Sequence, residues 1–84
     1  MATADELIAQ YIEENPRRQG PANARIMPYG VAVRAIVGYL GAVQGSAKRA
    51  AEDYDLPTDA VKAALAYYER HKQAIDARIA ANAA

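Results

Sequence analysis

The chain has 84 residues, no cysteine, and ten basic against ten acidic side chains, so its formal net charge is zero. This length allows one small domain, and the lack of cysteine excludes disulfides and thiolate-bound metals as sources of stability. Apolar residues make up 52% of the chain, which favours closely packed helices or an oligomer. A neutral chain is a poor indiscriminate binder of nucleic acid, whereas a dimer that gathers its basic groups on one face is compatible with DNA binding.

No apolar run is long enough to span a bilayer, and the N-terminus lacks the basic start and apolar core of a signal peptide. We therefore expect a cytoplasmic protein without membrane contact. The expected fold is all-α, or nearly so, in one domain over residues 1–84. Its expected parts are an N-terminal helix (1–15), a loop (16–30), a buried helix followed by a helix-turn-helix (31–68), and a C-terminal helical extension (69–84).

The first predicted element is an amphipathic helix. Thr3 and Glu6 have the spacing of a capping box, in which each side chain bonds the other residue's backbone N–H. An apolar stripe follows at helical spacing: Leu7, Ile8, Tyr11 and Ile12. Because the residue before a proline is pushed out of helical conformation, Asn15-Pro16 should end this helix. The pattern predicts a helix from Ala4 to Glu14.

Residues 16–30 are rich in glycine, proline and asparagine, which is typical of a loop. Within them, residues 24–27 are compatible with a short extended segment. A lone strand needs a partner, and pairing across a dimer would supply one. Arg17 and Arg18 stand at the start of the loop, where they suit either an arm in the DNA minor groove or a solvated surface.

Residues 31–43 are apolar on nearly every side, with Arg34 as the one charge, and predict a buried helix. Gly38 and Gly41 cost helix propensity, about 1 kcal/mol each relative to alanine. Their presence suggests close approach by a neighbouring element, including a second subunit. The expected homodimer interface on this helix is formed by Val33, Ile36, Val37 and Leu40.

The stretch from Ser46 onward predicts a helix-turn-helix. Ser46 is a good N-cap for a helix over residues 47–54, and Asp55-Leu56-Pro57 forms the break. A second, long helix then begins at Pro57 or Thr58 and runs almost to the C-terminus.

In such a unit the start of the second helix faces base edges and flanking basic groups hold phosphates. Thr58, Lys62 and Asp59 are the candidates for base contacts, and Lys48 and Arg49 for phosphates. Asp59 can accept a hydrogen bond from a cytosine amino group. The alternative is that the two helices only pack, which is favoured by the acidic residues around the turn: Glu52, Asp53, Asp55 and Asp59.

The C-terminal part of the long helix is a candidate for partner binding. Ile75 and Ile79 are spaced four apart with Arg78 beside them, which suits a helix that binds in a groove of another protein. His71 is interpreted as a partly buried interface residue. The alternative is that this helix folds back onto the N-terminal helix.

Catalysis and metal binding have little support in the sequence. The one serine, Ser46, is more useful as an N-cap than as a nucleophile paired with the one histidine, His71. Glu69 and His71 are two residues apart on a helix and do not easily share a metal ion. We expect no enzyme activity, no cofactor and no metal.

Three stretches resemble the bacterial domain of unknown function 433: residues 20–26 (GPANARI), 30–33 (GVAV) and 60–68 (AVKAALAYY). The likeness is greatest to the VapB-type antitoxin branch, through residues 54–57 (YDLP) and 74–79 (AIDARI). The family's usual Gly-Thr before Arg-Ile is replaced here by Asn23-Ala24, and residues 27–30 form an altered turn.

The resemblance implies a dimeric helix-turn-helix protein encoded beside a PIN-like ribonuclease toxin. Such an antitoxin of a type II toxin-antitoxin system inhibits the toxin by direct contact and represses the shared promoter by binding operator DNA. By analogy, the tail helix would place Arg78 among the acidic residues that hold the toxin's catalytic metal. The alternative is a structural, oligomerisation or adaptor module that does not bind DNA.

Overall fold

The computed structural model describes residues 2–83, which form a mostly helical domain with a small antiparallel sheet. The helices are α1 (Ala4–Tyr11), α2 (Val33–Leu40), α3 (Ala47–Tyr54), α4 (Thr58–Arg70) and α5 (Lys72–Ala83). The strands are β1 (Ile12–Glu13), β2 (Arg25–Ile26) and β3 (Val31–Ala32), and a 3-10 turn spans Pro21–Asn23. Among residues 2–83, no helix has the length and apolar character needed to cross a membrane.

Helix α1 begins as the sequence predicts and ends earlier. The Thr3 Oγ1 accepts a hydrogen bond from the Glu6 N–H at 3.2 Å, and the Glu6 carboxylate accepts one from the Thr3 N–H at 3.1 Å. The predicted end at Glu14 is wrong, because Ile12 and Glu13 leave the helix and form β1. Ile12 pairs with Ile26 and Glu13 with Arg25, so hydrogen bonds in the sheet replace those of a further helical turn.

The sheet forms within one chain in the order β1-β2-β3. The central strand β2 pairs antiparallel with both neighbours, Arg25 opposite Ala32 and Ile26 opposite Val31 in the hairpin with β3. The predicted extended segment near residues 24–27 is therefore real, but the proposed pairing across a dimer is wrong. Ile26 is fully buried and packs in the core, so the sheet is in contact with the helices.

The core is built around α4, which packs against α1, α2 and α3. Its inner face carries alanines and Val61, which have no exposed surface, so the neighbouring helices approach closely. Fully buried side chains from several other elements complete the same cluster: Ala24, Ile26, Val33, Ile36, Ala50 and Ile75. Burial of this apolar surface is the main stabilising term for a domain without disulfides.

The predicted single long helix is two helices. His71 has φ −132° and ψ 32°, outside the helical region, and it separates α4 from α5. Helix α5 packs against α2 and against the 3-10 turn. Residues 68–74 contain neither glycine nor proline, so the break is set by the contacts that α5 makes.

Candidate nucleic-acid interface

Helices α3 and α4 are joined by a three-residue turn whose conformation follows from its sequence. Asp55 is left-handed, with φ 60° and ψ 43°. The Leu56 N–H donates to the Ala51 carbonyl at 2.8 Å and the Asp55 N–H to the Glu52 carbonyl at 3.3 Å. This is the Schellman pattern of a helix C-terminus, with the buried Leu56 as its apolar contact. Aspartate tolerates the left-handed region better than most residues, so the turn needs no glycine.

Both helices of this unit begin where the sequence predicts. The Ser46 Oγ accepts a hydrogen bond from the Arg49 N–H at 3.1 Å and caps α3. Helix α4 starts at Thr58 with Pro57 as its N-cap residue and no side-chain cap. The first N–H groups of α4 are therefore left without a capping side chain, which is a favourable place for an anion.

All five residues predicted to contact DNA on this unit are exposed: Lys48, Arg49, Thr58, Asp59 and Lys62. Asp59 and Lys62, together with Ala2 and Leu7, line a concavity of about 260 Å³ between the starts of α4 and α1. The start of α4 is thus one wall of a shallow groove, with α1 as the other. A ligand at Thr58 or Lys62 would also meet the N-terminal segment.

The guanidinium of Arg49 is engaged within the chain. Its Nε lies 3.3 Å from both carboxylate oxygens of Asp53, one helical turn away. The Tyr39 hydroxyl donates to the same carboxylate at 2.5 Å and holds the pKa of Asp53 below its usual value. The same hydrogen bond raises the pKa of Tyr39. Sequence reasoning missed this cluster, because Tyr39 and Asp53 are 14 residues apart and meet only when α2 packs on α3.

A second concavity, of about 360 Å³, lies at the start of α3 and is lined by Ala42, Val43, Gln44, Ser46 and Arg49. It was not predicted, since it depends on how residues 41–45 turn between α2 and α3. Its one charged lining residue, Arg49, is already paired with Asp53. We assign it no ligand.

Arg17 and Arg18 are exposed and lie outside α3 and α4, between β1 and the 3-10 turn. They follow β1 in a turn in which the Asn15 side chain accepts from the Arg17 N–H at 2.9 Å. The chain then enters the 3-10 turn, which packs on α2 and α5. The exposure of both side chains suits a minor-groove arm and a solvated surface alike, and the minor-groove arm stays a prediction.

Two of the predicted partner contacts, Ile75 and Arg78, serve the chain's own fold. Ile75 is fully buried, so its assignment to a partner is wrong: it cannot reach another protein unless α5 detaches. The Arg78 Nη1 donates to the Asn23 Oδ1 at 3.0 Å and links α5 to the 3-10 turn, and its insertion among a partner's metal ligands stays a prediction.

The other two predicted partner contacts, His71 and Ile79, are half-buried. The ring centroid of His71 lies 4.4 Å from that of Tyr67, and Ile79 packs against the core cluster. The alternative that the tail folds back is supported, although α5 packs on α2 and the 3-10 turn rather than on α1.

Of the four residues predicted to form the dimer interface, two are fully buried in the chain's own core and two are half-buried. Val33 and Ile36 have no exposed surface and belong to the core, so their assignment to a dimer interface is wrong. Val37 and Leu40 are half-buried and keep some surface. A Cβ built on Gly38 would meet no atom within 4 Å, so the described part of the chain does not approach this glycine closely.

Within residues 2–83, no group of three or more histidine, aspartate or glutamate side chains has the geometry to hold a metal ion. Comparisons with protein-family models, with curated proteins and with solved structures find no match to this chain. The likeness to the domain of unknown function 433 thus stands on the quoted residues alone and stays a prediction.

Proposed function

We propose that this chain is the antitoxin of a type II toxin-antitoxin system, a cytoplasmic homodimer that binds operator DNA through α3 and α4 and inhibits a PIN-like ribonuclease. The observation that supports the DNA-binding part is the three-residue turn between α3 and α4. A left-handed Asp55 and a buried Leu56 join two helices, and the second begins with an exposed, uncapped N-terminus. That arrangement suits insertion of the start of α4 into the major groove.

The chemistry of the exposed side chains suits this role. Thr58 and Lys62 lie one turn apart on α4, and hydroxyl and ammonium groups read base edges by hydrogen bonding. Lys48 supplies a cation for a backbone phosphate. Arg49 supplies a second cation when a DNA phosphate replaces the Asp53 carboxylate as the partner of its guanidinium group.

Asp59 makes the proposal more specific. A carboxylate at the start of α4 repels phosphates, and its favourable contact with DNA is the amino group of a cytosine. We therefore expect a preferred site that contains a cytosine opposite Asp59. Asp59→Asn should relax the preference at that base and strengthen binding to unrelated duplexes.

The toxin-binding part rests on the resemblance, above all on residues 54–57 and 74–79. Because Ile75 and Arg78 serve the fold, the surface available on α5 is its exposed side, which includes Gln73, Ala77 and Ala80. The two alanines allow a partner helix to approach closely, and Gln73 adds a side-chain amide that can form hydrogen bonds.

The test of DNA binding is fluorescence anisotropy with the duplex upstream of the chain's own reading frame and an unrelated duplex of equal length. Thr58→Ala with Lys62→Ala should abolish the preference for the upstream duplex. A matched control, Glu69→Ala with Lys72→Ala, alters exposed residues near the end of α4 and should keep it. Binding of neither duplex by the unaltered chain would overturn the proposal in favour of a structural or adaptor module, and equal binding of the two duplexes would overturn the base recognition assigned to α4.

The toxin part is tested by co-expression with the product of the neighbouring reading frame. Ala77→Glu with Ala80→Glu should abolish co-purification and rescue of growth, while the same changes at Ala4 and Ala9, which are exposed on α1, should have no effect. Loss of rescue by the α1 variant alone would move the contact to α1. Rescue by both variants would remove the exposed faces of α1 and α5 from the proposal.

A further inference from the structure

Positive and negative charges are segregated along this neutral chain. Between Glu14 and Glu52 there is no aspartate or glutamate. The same interval contains six basic residues: Arg17, Arg18, Arg25, Arg34, Lys48 and Arg49. Four acidic residues then fall within residues 52–59, at the turn between α3 and α4. The turn between α3 and α4 is therefore acidic, and six of the ten basic residues precede it.

The fold brings Arg34 and Arg78 to the 3-10 turn Pro21–Asn23, and two further arginines shortly precede this turn in the chain. The Arg34 Nη1, on α2, donates to the Ala22 carbonyl at 3.4 Å, and the Arg78 Nη1, on α5, donates to Asn23. Arg17 and Arg18 lie in the segment that leads into the turn, and both are exposed. We call these four residues, Arg17, Arg18, Arg34 and Arg78, the arginine turn.

The arginine turn keeps unused donor groups. A guanidinium has five N–H donors, and Arg34 and Arg78 each use one nitrogen in the hydrogen bonds described above. In the part of the chain that the structure describes, no carboxylate lies within ion-pair distance of these four arginines. Arg25 is not included, because its Nε is buried and it lies opposite Glu13 in the sheet. Among the described residues, the arginine turn therefore carries four positive charges that no ion pair neutralises.

We propose that the arginine turn binds the phosphodiester backbone of duplex DNA without regard to sequence. This inference rests on the proposed function and adds a second contact with the same ligand. Guanidinium groups match phosphate oxygens bidentately, and a neutral chain needs such a local positive surface to approach a polyanion. The acidic turn between α3 and α4 adds little electrostatic affinity for phosphates. In this proposal the arginine turn raises the affinity for any duplex, and α4 provides the preference for a base sequence.

The packing gives the arginine turn a defined position. Residues of α2 and α5 hold the 3-10 turn from two sides, so a phosphate bound there would be fixed relative to α2. Helix α2 contacts the 3-10 turn and also contacts α3. Its eight residues span about 12 Å at 1.5 Å per residue. One duplex is wide enough to span that length, which makes contact with both surfaces feasible.

The experiment compares two double variants. The arginine pair is Arg17→Gln plus Arg18→Gln, and the lysine pair is Lys48→Gln plus Lys62→Gln. Each removes two positive charges from exposed positions. Anisotropy is measured from ~0.05 to ~0.3 M salt with the upstream and the unrelated duplex. The arginine pair should weaken binding of both duplexes equally, about 30-fold at ~0.15 M salt, and lower the slope of log K against log salt by about 2. Arg17→Lys with Arg18→Lys keeps the charge and should keep the slope.

The outcomes separate this inference from the proposed function. If the arginine pair leaves affinity and slope unchanged while the lysine pair weakens binding, the inference fails and the helix-turn-helix proposal survives. If the unaltered chain binds neither duplex, both fail. If the arginine pair instead abolishes binding to the neighbouring gene product and leaves DNA binding intact, the surface recognises an acidic protein and the inference also fails. Circular dichroism confirms that each variant is folded.

Discussion

Two helix–break–helix units share α4, and their breaks have different origins. The break between α3 and α4 is encoded locally by Asp55, Leu56 and Pro57, and it appears where the sequence predicts it. The break at His71 has no local signal. It arises because α5 buries Ile75 and makes side-chain hydrogen bonds that a straight helix could not make. A local break should persist when tertiary contacts are weakened, whereas a tertiary break should not.

The strongest test of this difference is Ile75→Ala. Removing a fully buried isoleucine side chain should lower the free energy of unfolding by about 2–5 kcal/mol, because a cavity remains. Ile79→Ala, at a half-buried position on the same helix, should cost less than about 1.5 kcal/mol. Denaturant titration measures both. Equal, small losses would show that α5 is not docked as described.

The next effect concerns the local break. Asp55→Gly should stabilise the domain by up to about 1 kcal/mol, because glycine occupies the left-handed region without a Cβ penalty. Asp55→Val should destabilise it by about 1–2 kcal/mol for the opposite reason. Asp55→Asn is the control, since it removes the charge and tolerates the same backbone. A destabilised Asn variant would mean that the charge, and not the conformation, matters there.

A smaller effect is expected from the bond that spans the second break. The Tyr68 hydroxyl donates to the Asp76 Oδ1 at 2.7 Å, from α4 to α5. Tyr68→Phe should lower the melting temperature less than Ile75→Ala does, and Tyr68→Phe combined with Asp76→Asn should cost no more than the single change. Additive losses in this cycle would contradict a direct bond. Tyr54→Phe serves as a tyrosine control on α3.

The smallest effect is a pH dependence at the contact between α2 and α3. The Tyr39 hydrogen bond lowers the pKa of Asp53, so this carboxylate stabilises the fold above its unfolded pKa and the gain is lost as the pH falls through the folded value. The pKa of Tyr39 is raised, so its contribution is complete below its unfolded pKa, about 10, and is lost as the pH rises through the folded value.

Both contributions are therefore present at neutral pH. Tyr39→Phe should raise the pKa of Asp53 toward its ordinary value, measured by NMR titration of its carboxyl carbon, and should weaken the dependence of stability on pH at the acidic end. Tyr68→Phe leaves this contact intact and should keep the Asp53 titration unchanged. An unchanged Asp53 titration in Tyr39→Phe would place the cause at Arg49, whose charge also lowers this pKa.

The candidate interface was predicted only in part. Exposed residues such as Thr58 and Lys62 were identified because a cap and a turn place them at the start of a helix. Ile75 and Arg78 were assigned to a partner because an apolar or charged residue on a helix does not reveal which surface it faces. The contacts of Arg34 and Arg78 with the 3-10 turn join residues 12 and 55 positions apart, and no local pattern indicates them.

The sequence by itself determined the features that depend on a few neighbouring residues. These are the Thr3–Glu6 capping box, the cap at Ser46, the bounds of α3 and the start of α4. Each involves backbone groups within five residues, whose hydrogen bonds form in any context that leaves the segment helical.

Only the tertiary structure decided the rest: the early end of α1, the sheet within one chain, the break at His71 and the burial of Ile75. Strands of two residues carry no periodicity to detect, and they exist because β2 finds partners on both sides. Helix α5 leaves the axis of α4 because burying Ile75 stabilises the chain more than a few additional helical hydrogen bonds exposed to water.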